Sequence, residues 1–171
     1  DRRGMANVMD EAITVASIHG HCVGGGILLA VGCDLRIAAD NTRFAIPEVD
    51  LGIPLAWGGI PRLVREVGPA VTRELVMTCR PFDAVEAQSL GMVNRVVPLD
   101  RLRIETDELA ASLAAKPVSL LRTTKRQVQE ATEDMVSTQS GWTASAHLAV
   151  ALADPEARAA ASAYLAGRGG R

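Results

Sequence analysis

Aromatic residues are scarce in this chain: two Trp, one Tyr and two Phe among 171 residues. That is too few to build a platform on which nucleic-acid bases could stack. No block of one charge is present either. Eighteen Lys and Arg are spread among 20 Asp and Glu, for a net charge of −2, so the basic footprint of a nucleic-acid partner is missing. Cysteine is limited to Cys22, Cys33 and Cys79, an odd number without C-x-x-C spacing. This points to reduced thiols in a cytoplasmic setting and not to a disulfide framework. His19 and His21 form an H-x-H pair with no third ligand at a supporting distance, so no metal is expected. No serine stands in a G-x-S-x-G elbow, which argues against a serine hydrolase. The longest uncharged stretch, residues 12–33, has the length of a membrane span. However, His19-Gly20-His21 and Gly24-Gly25-Gly26 break it into short pieces. It reads as a buried strand, a turn and a buried helix, with no membrane partner. Asp1-Arg2-Arg3 leads into no cleavable apolar region.

What is present is enough apolar material, 48% of residues, for one soluble globular domain with a real core. Residues 5–11 look like the end of an amphipathic helix. The β-branched run 13–18 predicts a buried strand, 34–38 a second and 42–46 a third. Between the first two, Ile27-Leu28-Leu29-Ala30-Val31 is apolar on every side and predicts a buried helix. Residues 47–59 hold Gly52, Pro54, Gly58 and Gly59 without periodicity, and so read as a loop. Pro61 suits the first turn of a helix running to Gly68, and another helix covers 70–78. Asp83 is an N-cap with Glu86 three positions on, Gly91 closes that helix, and 93–97 is the last strand. Beyond it the pattern is helical throughout, over 102–115, 118–131, 135–152 and 155–165. Leu109, Leu113, Leu120, Leu121 and Val128 form an apolar stripe that needs a partner. The division is therefore an α/β part over 1–98 and a helical part over 99–171, the latter serving packing and oligomerisation.

Three consecutive glycines between a strand and a buried helix allow close backbone approach, and N–H groups at a helix start can hold developing negative charge. Taken alone, the triplet also fits tight strand-to-helix packing with no ligand. It is no nucleotide loop, since no G-x-G-x-x-G is present and no Gly-Lys-Ser or Gly-Lys-Thr follows. Its neighbours carry further information. Ile18-His19-Gly20-His21-Cys22-Val23-Gly24-Gly25-Gly26, Cys33-Asp34-Leu35-Arg36-Ile37-Ala38 and Phe44-Ala45-Ile46-Pro47-Glu48-Val49-Asp50-Leu51-Gly52-Ile53-Pro54 stand in order. Gly58-Gly59, Arg62-Leu63, Gly68, Leu90-Gly91-Met92-Val93 and Val96-Val97-Pro98 follow without a gap. This succession resembles the crotonase family, the enoyl-CoA hydratases and isomerases.

The resemblance implies an α/β fold: part of a crotonase-like ββα spiral, followed by a helical C-terminal region. It also implies assembly as a trimer or hexamer and an acyl-CoA substrate. Coenzyme A would then be part of the substrate, with no separate cofactor. By resemblance, the Gly25 N–H is one of two donors to the thioester oxygen. The other donor belongs to a segment ahead of residue 1, where roughly a third of a full-length member is expected. Family hydratases use two glutamates. Glu48 matches one, while the position two after the triplet is Leu28. Gly24, Gly26, Leu28, Ala56, Trp57 and Gly59 are the candidate substrate-binding residues beside the catalytic pair Gly25 and Glu48. Hydration needs one group to activate water and another to supply a proton, whereas a single carboxylate suffices to move a proton between carbons. The residues therefore favour single-glutamate isomerase chemistry. The alternative, from a different class, is a catalytically silent fragment acting as an acyl-CoA-binding or assembly module.

Overall fold

The protein is described here by a computed structural model covering residues 12–138 and 144–168. The helix end expected over 5–11 lies outside the described residues. Three short strands form one parallel sheet, β1 (Val15–Ile18), β3 (Leu35–Ala39) and β6 (Arg95–Val97), in the order β1-β3-β6. A second sheet has the order β2-β4-β5, from β2 (His21–Val23), β4 (Arg43–Ala45) and β5 (Phe82–Asp83). The chain alternates between them. Each pass lays a strand in the first sheet, turns, and lays one in the second, as in β1-β2 and β3-β4, before a helix returns it. This ββ-helix repetition is the expected spiral. Two of its strands were not foreseen. His21-Cys22-Val23 is a strand of its own, parallel to β4, where a turn was expected, and Phe82–Asp83 adds an antiparallel edge. Both are too short to show a period, and tertiary pairing decides them. Phe44 and Phe82 stack across that edge with ring centroids 5.3 Å apart, worth about 0.5–1.5 kcal/mol beyond their burial.

The core lies between the sheets and the helices α1 (Gly25–Gly32) and α2 (Gly59–Thr78). Ile27, Phe44, Ile46, Leu63 and Leu75 are at most 1% exposed, each contributing about 1.5–3 kcal/mol by leaving water. Gly68 breaks α2 into the two arms expected, with φ 76, and Pro69 restarts the helix. Helix α3 (Ala84–Ser89) starts as its sequence indicates: the Asp83 side chain accepts a 2.9 Å bond from the Glu86 N–H.

Arg36, in the Cys33–Ala38 motif, is a buried tie. Its guanidinium donates to the carbonyls of Cys33 and Met92 and pairs with Glu66 of α2. It thereby joins the end of α1, the approach to β6, and α2. Such a charge is tolerable in the interior because its donors are met.

The helical part is attached to the spiral at several points. Leu102, which opens α4 (Leu102–Ala114), packs with Ile37 and Ala39 of β3, and Leu109 joins them. Lys125 of α5 (Val118–Met135) donates to Asp34 and to the Ala12 carbonyl, both at 2.8 Å. Helix α5 runs to Met135, past the expected end at 131, so a helix closes at 135 where one was expected to open. The reason lies in Val136, which is extended, while Arg65 takes its carbonyl and pairs with Glu133. Then α6 (Ala144–Ala153) and α7 (Pro155–Arg168) form a hairpin. Of the apolar stripe, Leu109 is packed, whereas Leu120 and Val128 are 64% and 57% exposed. Among the described residues, no helix is long and apolar enough to cross a membrane.

Candidate active site

Parallel pairing of β2 with β4 aligns Cys22 with Phe44 and Val23 with Ala45, so the two strands end side by side. Gly24 and the segment leading to Glu48 therefore leave the sheet together, and the Gly24 N–H donates to the Ala45 carbonyl at 2.9 Å. Gly24 has φ 53, which a side chain would oppose, and its carbonyl accepts from the Ile27 N–H as α1 begins. Gly25 and Gly26 open the helix, so their N–H groups have no acceptor within it. They are donors at the positive end of the helix dipole.

Pro47 and Glu48 then enter a tight turn. Leu51 donates to the Pro47 carbonyl, and Ile53 to the Glu48 carbonyl. The turn folds the Glu48 side chain back over the triplet. A Cβ on Gly24 would lie 2.6 Å from Glu48 Oε1, so only glycine admits the carboxylate there. Glu48 is 9% exposed, and its Oε2 is buried without a hydrogen-bond partner. Burial pushes its carboxyl above the usual range, and its own backbone N–H pulls back only in part. A desolvated carboxylate with an open lone pair is a proton acceptor poised to work.

Trp57 lies over Gly25: a Cβ there would come 3.1 Å from its ring carbon Cζ3. The indole is 78% exposed and its backbone is left-handed, φ 54. Ala56 stands beside it, half-buried, and its carbonyl accepts from the Gly59 N–H. Gly59 is buried beneath Leu28 and Leu55, whose side chains occupy the space a Cβ would need. Leu28 itself is 7% exposed and apolar, turned to the packing of α1 on α2. Gly26 lies closest to the Cys22 sulfur, and burial pushes the Cys22 thiol up to about 11. Asp50, the nearest other carboxylate in the motif, is exposed on the turn. Leu55 was not foreseen; its signal was a lone leucine within a glycine- and proline-rich loop. Past Glu48, Val49 borders an apolar groove of about 580 Å³ between the turn and the α6–α7 hairpin, lined also by Ile53, Pro54, Val150 and Ala157.

Comparison with known proteins identifies the family of this fold. The enoyl-CoA hydratase/isomerase family profile matches residues 5–165. A Mycobacterium bovis protein named "probable enoyl-CoA hydratase" is 40% identical over 124 residues, covering 72% of this chain and 48% of that protein. The carnitinyl-CoA dehydratase of Citrobacter koseri is 37% identical over 134 residues, covering 77% and 51%. Among solved structures, the enoyl-CoA hydratase subunit I of Geobacillus kaustophilus superposes with a TM-score of 0.72 at 32% identity, covering 94% of this chain and 63% of that one. The chain spans about half the length of the two curated relatives. With the family profile matching nearly its whole length and the spiral and glycine-triplet turn in place, the chain belongs to the enoyl-CoA hydratase/isomerase (crotonase) family.

Proposed function

We propose that the protein acts on acyl-CoA thioesters through an oxyanion-stabilised enolate and that its chemistry is of the single-glutamate isomerase type. The observation that carries this reading is the buried Glu48 carboxylate, with one oxygen unpartnered, lying against Gly24 where the N–H groups of α1 begin. The thioester oxygen of a 3-enoyl-CoA would sit on the Gly25 N–H. Glu48 would take a proton from C2, the electrons passing to the thioester oxygen as an enolate. Collapse of the enolate forms the C2–C3 double bond as C4 takes the proton back from Glu48. One carboxylate serves both transfers, and no water is consumed.

Hydration asks for a second acid/base group, and two observations count against one here. Leu28 is apolar and packed on Gly59, and Asp50 is exposed. The loss of one of two such groups costs about a hundredfold to ten-thousandfold, or about 3–5 kcal/mol of barrier. The exposed Leu120, Val128 and Met135 support assembly with further copies. Three free cysteines suit a reducing compartment such as the cytoplasm.

The test is the ratio of two activities in the intact protein that carries this chain. Isomerisation of a 3-enoyl-CoA should exceed hydration of a 2-enoyl-CoA. Glu48→Gln should abolish isomerisation while leaving thioester binding nearly intact. Hydration clearly in excess would refute the single-glutamate reading.

A further inference from the structure

Glu48 closes on Gly24 and Trp57 on Gly25, and only Glu48 has a part in the chemistry above. Trp57 is unusual in its own right. It is among the most exposed large apolar side chains, at 78%, so core packing does not explain it. Its backbone, at φ 54, lies in a region where a bulky side chain costs about 1–2 kcal/mol. Gly58 follows at φ 69, and the bond from the Gly59 N–H to the Ala56 carbonyl closes the turn. The position of the indole is thus set by the backbone of two consecutive left-handed residues at the start of α2. That backbone aims the Cζ3 edge at Gly25, with Cε3 and Cη2 just behind.

We infer that Trp57 is a specificity-determining wall that admits straight-chain acyl thioesters and rejects those branched at the carbon next to the thioester. The inference rests on the reading of this site as an acyl-CoA site. A thioester oxygen on the Gly25 N–H brings the thioester carbon up to Gly25, and the next carbon, C2, follows one bond away. Glu48 faces C2 from the Gly24 side. A C2 substituent that does not face Glu48 meets the indole, whose Cζ3 edge would stand only 3.1 Å from a Cβ on Gly25. A hydrogen fits there. A methyl group does not, unless the indole turn yields.

The experiment compares two isomeric, unreactive thioesters, butyryl-CoA and isobutyryl-CoA, in calorimetric binding to the parent protein, Trp57→Gly and Trp57→Phe. Glycine adopts φ 54 freely, so Trp57→Gly should keep its thermal midpoint, which is measured alongside. The parent should bind butyryl-CoA about tenfold more tightly, the discrimination that one methyl group in a shaped pocket provides. Trp57→Phe should keep most of that preference, and Trp57→Gly should lose it. Equal binding of the two thioesters by the parent overturns the inference, as does a preference that survives in Trp57→Gly; both leave the acyl-CoA reading standing. If the parent binds neither thioester, the acyl-CoA reading itself falls and takes the inference with it.

Discussion

Glu48→Gln should make the protein more stable at neutral pH, even as it removes the proposed proton shuttle. The native structure holds a carboxylate that is 9% exposed and has an oxygen without a partner. An unsatisfied buried polar group costs about 1–3 kcal/mol, more when it is charged. Glutamine has nearly the same shape and carries no charge to desolvate. The sign follows from linkage. Burial raises the folded-state pKa of Glu48 above its ordinary value of 4.5, so between the two values the native state binds more protons than the unfolded one. The stability that Glu48 contributes is fully present below 4.5 and is lost as pH rises through the folded pKa. Glutamine does not titrate and has nothing to lose. Its advantage should therefore be small at about pH 4 and larger at about pH 7.5. With an m-value of about 2 kcal/mol/M, a gain of about 2 kcal/mol moves the urea midpoint up by about 1 M. Urea titrations of both proteins at the two pH values measure this double difference. An advantage of the same size at both pH values, or none at neutral pH, would refute the claim that Glu48 is a strained, desolvated carboxylate.

Two further substitutions test how the site is framed. Gly52→Ala places a Cβ 2.0 Å from the Ala157 carbonyl at a residue with φ 67. Positive φ and overpacking together should cost about 2–4 kcal/mol, with the amides of α7 losing hydrogen-exchange protection before those of β3. Asp83→Ala removes the side chain that accepts the Glu86 N–H at the start of α3 and should lower stability by about 1 kcal/mol, read from the thermal midpoint.

The spiral was legible in the sequence wherever a residue's chemistry leaves few choices. Gly68 with Pro69 marked the break in α2, and Asp83 with Glu86 marked the start of α3, since both are local backbone events. The charge-free run 12–33 separated into strand, turn and helix because glycine interrupts it. What stayed hidden depends on partners distant in sequence. His21-Cys22-Val23 becomes a strand because Arg43–Ala45 lies beside it, and Phe82 joins a sheet because Phe44 offers a ring. The extension of α5 to Met135 is fixed by Arg65, 71 positions before Val136. At the site, the motif brought Gly25 and Glu48 to notice. That Gly24 is the glycine touching the carboxylate emerged only from the register of β2 with β4. Trp57 drew attention as a tryptophan in a glycine-rich loop, but its exposure and its left-handed backbone left no trace in the sequence.

The electrostatics of Glu48 bear on why one carboxylate and an apolar residue stand where two carboxylates are needed for hydration. Two carboxylates in one buried site raise each other's pKa, because both charges cannot be accommodated close together in a low dielectric. Glu48 rises through burial, with no second acid among the causes. Leu28, at the other position, is buried, apolar and packed against Gly59 of α2, so it brings no competing charge. Removing water has opposite consequences for the two reactions. It deprives hydration of its reactant, and it raises the basicity of the one group that a proton shuttle requires. On the proposed reading, a buried glutamate beside the glycine triplet with no second carboxylate at position 28 suits a proton shuttle better than the addition of water.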